Sequence, residues 1–265
     1  MAGNPYQSIE SGGPGRIGWR IHYFEELSST QEVARELAEQ GAAHGTVVIA
    51  EQQTGGRGRM GRAWHSPPGA GLYSTTILRP TLSIAQVARI SIMAGVAAAE
   101  ALETVAPGLV AVKWPNDVWL RGKKACGILA EAVTDRAGAL TSVLLGIGIN
   151  VNLAADEIPI ELRDKATSVR AVLGRACDRV ELAAALFSRL DSRYMEVGSG
   201  DFESIRAAFA ARFALAGKRI AVVDATARQS GVALGIDEDG ALLLETERGV
   251  RRILAGDVTV EGAYD

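Results

Sequence analysis

The chain has 265 residues, 48% of them hydrophobic and 22% charged, with a formal net charge of -3. That length builds a sizeable core without disulfides, and the slightly acidic balance excludes a nucleic-acid binder that relies on a global basic field. Two cysteines, Cys126 and Cys177, stand in no CxxC or Cys/His ligand spacing, which excludes a disulfide scaffold and a structural zinc and points to a reducing, cytoplasmic setting.

Residues 1–17 are rich in Gly, Ser and Pro and lack periodicity, so they are predicted to form a flexible tail. No basic region followed by an apolar run marks a signal peptide there. "SSTQEVARELAEQG" predicts a helix: Ser29 and Glu32 stand at capping-box spacing, Val33 and Leu37 share a face, and Gly41 ends it. "TVVIAEQQ" is an apolar run suited to a buried strand. It leads into "GGRGRMGRAW", where glycines alternate with Arg57, Arg59 and Arg62 ahead of Trp64. "LYSTTILRP" predicts a strand ended by Pro80.

Ser83 and Gln86 cap a long alanine-rich helix predicted to run to about Ala106. It contains Gln86, Arg89 and Glu100 and reads as a buried helix, not a membrane span. "VAVKWPNDVWL" is a strand broken at Trp114–Asp117. "GKKACGILAEAV" and "ALTSVLLGIGINVNL" are two further strands joined by "TDRAG". "ELAAALFSRLDSRYMEV" and "DFESIRAAFAARF" are amphipathic helices. After Gly217, "KRIAVVD", "GVALGIDEDG", "ALLLETE" and "VRRILAGDVTV" are short, closely spaced strands, as in a small barrel or sandwich. The division predicted is a tail over 1–17, a catalytic domain over 18–213 and a C-terminal domain over 214–265.

Several familiar chemistries find no support. The P-loop pattern is missing, and three histidines are too scattered for a metal site. "GRGRMG" fits the letters of a dinucleotide fingerprint, but "RAWHSPPG" cannot open a helix after it. No spacing supports a Ser-His-Asp nucleophile. What stands out is a set of polar segments at strand ends and helix starts: "SST", "EQQTGGRGRMGRAW", "KWPND", "GKKACGIL" and "GIGINVN". Binding residues commonly sit on loops held by a rigid sheet.

Taken singly, each segment has a plainer reading. A lone "GRGR" is usually a solvated loop. Adjacent lysines such as Lys123 and Lys124 are usually an exposed turn. Ser28 or Ser29 caps a helix, Asn150 caps a strand, and Trp114 and Trp119 belong to core and pocket wall. Jointly, in this order and spacing, the segments resemble the biotin protein ligases over about residues 19–262. The resemblance implies a mixed β-sheet with flanking helices, akin to class II aminoacyl-tRNA synthetases and followed by a small SH3-like β-barrel: an α+β fold.

The resemblance also implies a function. Biotin and ATP would form biotinyl-5'-AMP, and a lysine of a biotin carboxyl carrier domain, of acetyl-CoA carboxylase or a related carboxylase, would take the biotin. Ser29, Thr30, Gln31, Gln53, Gly58 and Gly127 match biotin-contacting positions; Gln31 replaces the family's usual Asn. Arg57 and Arg59 match residues that close over biotin and adenylate. Arg62, Trp64, Asn116, Asp117 and Asn150 match the ATP side. Lys124 matches the lysine beside the biotin carboxylate and the phosphate, and with Arg59 is the catalytic candidate. Cys126 stands where the family has Ala or another small residue. Mg2+ is expected with the triphosphate, with ligands unassigned. A lipoate-type ligase is the alternative within the superfamily, and an Arg/Gly-loop nucleic-acid binder the alternative outside it. No nucleic-acid or membrane partner is expected, nor an N-terminal winged helix. The sequence leaves monomer and homodimer both open.

Overall fold

The computed structural model describes residues 3–10, 12, 13, 15–223 and 227–261. Residues 1, 2, 11 and 14 of the expected tail, and 224–226 and 262–265 of the expected C-terminal domain, lie outside these. Seven strands make the first sheet: β1 (Arg20–Leu27), β2 (Thr46–Gln53), β3 (Gly71–Leu78), β4 (Val110–Lys113), β5 (Asp117–Leu120), β6 (Lys123–Thr134) and β7 (Leu140–Asn150). Their spatial order is β1-β2-β3-β7-β6-β5-β4. β1 and β2 run parallel and every other pair is antiparallel, so the sheet is mixed.

Alternation along β7 sets the two faces. Val143, Leu145, Ile147 and Ile149 all enter the main core. There they meet α2 (Val87–Glu103), whose Ile90, Met93, Val96, Ala97 and Leu102 are buried. The stretch Ile84–Glu103 is long and apolar enough to cross a membrane by length and composition. Here it packs on the sheet and against α4 (Arg179–Gly198) and α5 (Phe202–Ala210). Its Glu100 receives Arg193 Nη2 of α4 at 2.5 Å. The helix ends at Glu103, three residues before the expected Ala106.

On the opposite face, α1 (Thr30–Glu39) covers one end of the sheet, burying Ala34 and Ala38 against Val48, Ile77 and Leu144. Ser29 is its N-cap and accepts from Gln31 N at 3.3 Å. The expected capping box with Glu32 does not form. Glu32 turns to the Ser28 hydroxyl and to Arg57 Nη2, because a charged guanidinium is a stronger donor than a backbone amide.

The second sheet comprises β8 (Arg219–Val223), β9 (Arg228–Ile236), β10 (Leu242–Thr246), β11 (Gly249–Ile253) and β12 (Asp257–Val260). It is antiparallel throughout, in the order β11-β10-β9-β8-β12, as the small SH3-like unit requires. "VRRILAGDVTV" is two strands, not one, divided at Gly256 (φ 153). A short helix, α3 (Val169–Leu173), carries no long periodic signal and was not expected. The second sheet is joined to the first unit through one buried and one part-buried polar contact. Trp114 Nε1 donates to Gly240 O at 3.0 Å, and Arg89 of α2 pairs with Asp239 at 3.0 Å. Gly240 has φ +82, and a Cβ there would lie 2.9 Å from Ile92 Cγ1, so the turn demands glycine.

The described part of the N-terminal segment is not a tail. Tyr6 is 1% exposed and meets the Tyr23 ring at 5.9 Å. Glu10 Oε1 accepts from Ile21 N at 2.6 Å, and Asp191 receives both Ile17 N and Arg16. Low periodicity misleads here because two side chains, Tyr6 and Ile17, anchor an otherwise irregular stretch. Tyr6→Ala is therefore expected to lower the unfolding free energy by about 3 kcal/mol, the scale for deleting a buried aromatic. A urea titration checks this; an unchanged midpoint would return the segment to the status of a tail.

Candidate active site

On the face of the first sheet that carries α1, the half that the helix leaves uncovered is floored by glycine. Gly146 and Gly148 of β7 share a face because alternate residues do, and Gly127 of β6 stands directly opposite Gly148. The absent side chains leave a cavity of about 640 Å3 above them. The Trp64 indole lies on this floor. A Cβ at Gly148 would come 2.5 Å from Trp64 Nε1, and one at Gly127 2.8 Å from its Cζ3. Gln31 covers Gly146 in the same manner, its Oε1 3.1 Å from where a Cβ would sit.

The start of α1 supplies neutral polar groups. Gln53 Oε1 accepts from Thr30 N at 2.9 Å and Thr30 Oγ1 at 3.2 Å, while its Nε2 donates to Ser66 Oγ at 3.0 Å. Thr75 Oγ1 donates to Thr30 Oγ1 at 2.8 Å. These bonds fix the end of β2 against the helix start. Gln31 Nε2 reaches Leu144 O at 3.4 Å, and Gln31 Oε1 is buried without a hydrogen-bond partner. Trp64 Nε1 is likewise buried and unpartnered. Unmet buried donors and acceptors are costly, so polar atoms orphaned inside a cavity mark where a ligand's own polar groups belong.

The arginine loop closes on itself. Gly58 N donates to Arg62 O at 2.7 Å and Trp64 N to Gly56 O at 2.9 Å, with Met60 (φ 57) and Gly61 (φ 72) turning the chain between them. Its cations are matched one by one. Arg57 Nη2 meets Glu32 Oε1 at 2.5 Å, Arg59 Nη1 meets Asn116 Oδ1 at 3.1 Å, and Arg62 pairs with Asp257 of β12. Lys124 Nζ lies 2.5 Å from Asp117 Oδ1 and 5.4 Å from the Trp64 ring centroid. Adjacent Lys123 points elsewhere and donates to Arg163 O at 2.6 Å. Burial depresses the basicity of Lys113, whose pKa is lowered, and pushes the Cys126 thiol up to about 12. Cys126 faces the α2 side and takes no part in the cavity's polar surface.

Every residue that the resemblance matches to biotin, adenylate or ATP lines this one cavity. The segments are brought together because each ends a neighbouring strand or begins α1. Asn150 spends its Nδ2 on Thr167 O at 3.0 Å, so its amide holds the following loop. Sequence reasoning did not single out Lys113, Asp257, Gly146, Gly148 or Ser66. Lys113 lay inside the quoted "KWPND", and the two glycines inside "GIGINVN", where Gly-x-Gly in a strand already places both on one face. Asp257 had no local signal, since its contact spans two sheets.

Comparison with known proteins gives consistent matches. The family described as Biotin/lipoate A/B protein ligase matches residues 23–150, and the Biotin protein ligase C terminal domain matches residues 216–260. The bifunctional ligase/repressor BirA of Bacillus subtilis is 38% identical over 91% of this chain and 74% of its own length. The biotin–acetyl-CoA-carboxylase ligase of Paracoccus denitrificans is 36% identical over 88% of this chain and 98% of its own. A biotin protein ligase from Aquifex aeolicus, solved in complex with biotin and ATP, superposes with a TM-score of 0.81 at 30% identity, covering 91% of this chain and 99% of that one.

The glycine floor makes a direct prediction. Gly148→Ala places a methyl 2.5 Å from the Trp64 indole nitrogen and must displace the ring. Tryptophan emission should shift with little change in the unfolding midpoint, because the backbone there is ordinary extended chain. The shift should vanish on a Trp64→Phe background; its persistence would mean that the indole does not rest on Gly148.

Proposed function

The chain belongs to the biotin protein ligase family and is a ligase enzyme, and we propose that it attaches biotin to a specific lysine of a biotin carboxyl carrier domain, that of acetyl-CoA carboxylase or a related carboxylase, through biotinyl-5'-AMP. The observation that carries the reading is the convergence of all the motif residues on one glycine-floored cavity with both orphaned polar atoms and cations at its wall. The planar ureido ring of biotin approaches a sheet closely only where side chains are absent, and Trp64 and Gln31, which lie over the glycines here, are the groups it would meet. Ser29, Thr30, Gln31 and Gln53 offer the neutral donors and acceptors suited to a ureido ring, and Gly127 the close approach.

Activation joins two anions. A biotin carboxylate oxygen attacks the α-phosphorus, and pyrophosphate departs. Lys124, at the edge of the floor, is the group to lie between carboxylate and α-phosphate, where it offsets repulsion and aligns the attack. Its pairing with Asp117 holds the ammonium in place until the substrates arrive. Arg57, Gly58 and Arg59 belong to a loop that covers the adenylate, with Arg62, Trp64, Asn116 and Asn150 toward the nucleotide. In the second step the lysine amine of the carrier attacks the activated carbonyl and AMP leaves. No enzyme nucleophile is needed.

Among the described residues no group of three His, Cys, Asp or Glu forms a metal cage. Mg2+ keeps waters and phosphate oxygens and uses one or two carboxylates. Asp117 and Asp257, both lining the cavity, are the carboxylates to hold it. Bound there, it would screen the triphosphate charge. Two free cysteines support a reducing, cytoplasmic setting.

Incubation with biotin, ATP and a carrier domain should add one biotinyl group to the carrier, read by mass. Lys124→Ala should slow biotin-dependent pyrophosphate release by at least about a hundredfold, the scale for one positioned electrostatic group. Lys123→Ala should change it by less than about twofold, since its amine faces Arg163 O. Equal losses in both would make the lysine pair a diffuse basic patch.

A further inference from the structure

We propose that Lys113 binds the pyrophosphate as it leaves, a role resting on the adenylation chemistry above. The sheet itself places it. Lys113 pairs in register with Asp117, Asp117 with Gly127, and Gly127 with Gly148. Residues opposed in register project from the same face, and each strand adds about 4.8 Å. The row therefore runs outward from the floor that carries biotin, through the Asp117–Lys124 pair where the α-phosphate is attacked, to Lys113 one strand beyond. A triphosphate extends along the same line, its β- and γ-phosphates past the α-phosphorus and away from the acyl group.

Charge points the same way. Arg57, Arg62 and Lys124 each already face a carboxylate, and Arg59 is held by the neutral Asn116 amide. Lys113 makes no hydrogen bond or ion pair with any described residue. Its ammonium lies over the Trp119 ring, 5.2 Å from the centroid, a weak attraction beside the cost of taking an ammonium half out of water. The groups whose charge it feels are Asp117, Lys124, Asp257 and Arg62, two of each sign. A half-buried cation lining the cavity with no anion of its own is a site for one supplied by substrate. Lys165 also lines the cavity, but on an exposed loop.

The step balances simply. The carboxylate oxygen forms the new bond to the α-phosphorus, and the bond from that phosphorus to the α,β-bridging oxygen breaks. The bridging oxygen leaves with the electron pair, so negative charge grows on the departing diphosphate. Lys113 meets that charge where it develops.

The half-reactions separate this role from others. Lys113→Met keeps the length of the side chain without its charge. It should slow adenylate formation at least about tenfold and raise the KM for pyrophosphate in the reverse reaction by a similar factor. Transfer of biotin from supplied biotinyl-5'-AMP to the carrier should stay within about twofold of the parent, because no pyrophosphate is present in that step. Lys113→Arg should recover part of the loss. Equal slowing of both half-reactions would make Lys113 a structural residue, and an unchanged pyrophosphate KM would overturn the proposal outright. A parent enzyme that forms no adenylate from biotin and ATP would instead overturn the functional reading on which it rests.

Discussion

The site depends on side chains that are not there. A seven-stranded sheet with large residues on both faces would be filled, and α1 would lie on apolar side chains along its whole length. Three glycines on adjacent strands remove the filling from one patch without breaking the hydrogen-bonded ladder beneath it. The other face pays no penalty, because the intervening Ile147, Ile149 and Ile128 still anchor α2. Alternation thus lets one strand serve a tight core and an open cavity at once.

Around that floor three of the cations, Arg57, Arg62 and Lys124, are paired with carboxylates. Each acid is contributed by a different element: Glu32 by α1, Asp117 by β5, Asp257 by β12. Without such partners, clustered cations would repel one another and spread the loop away from the sheet. With them the arginine loop is tied to α1 through Glu32 at one side and to the second sheet through Asp257 at the other.

The fold was legible where pattern is local. Strands β2 to β7, α1 and the apolar α2 follow from periodicity, and the site positions from motifs whose spacing alternation preserves; β1, whose burial does not alternate cleanly, was not read as an element. Features that depend on tertiary contacts escaped. The N-terminal stretch reads as irregular because Tyr6 and Ile17 hold it by tertiary burial alone. Glu32 stands at the right spacing for a capping box, yet a long-range arginine outcompetes the local amide. Asp257 and Arg62 are far apart in sequence, and nothing near either one announces the other. Lys113 was visible as a letter but not as an unpaired charge, since pairing is a property of the assembled face.

The bond from Trp114 Nε1 to Gly240 O bears on how this chain can change over time. The indole belongs to the turn between β4 and β5, and its acceptor to a turn in the second sheet. Separated, the first unit would expose a large aromatic with an unmet donor, and the second a glycine turn shaped to nest Ile92. Neither half therefore offers a finished surface to a foreign neighbour. A shuffled or transplanted C-terminal unit would have to bring a turn that fits this tryptophan, so the two sheets are expected to be inherited as one piece even where their sequences drift independently elsewhere.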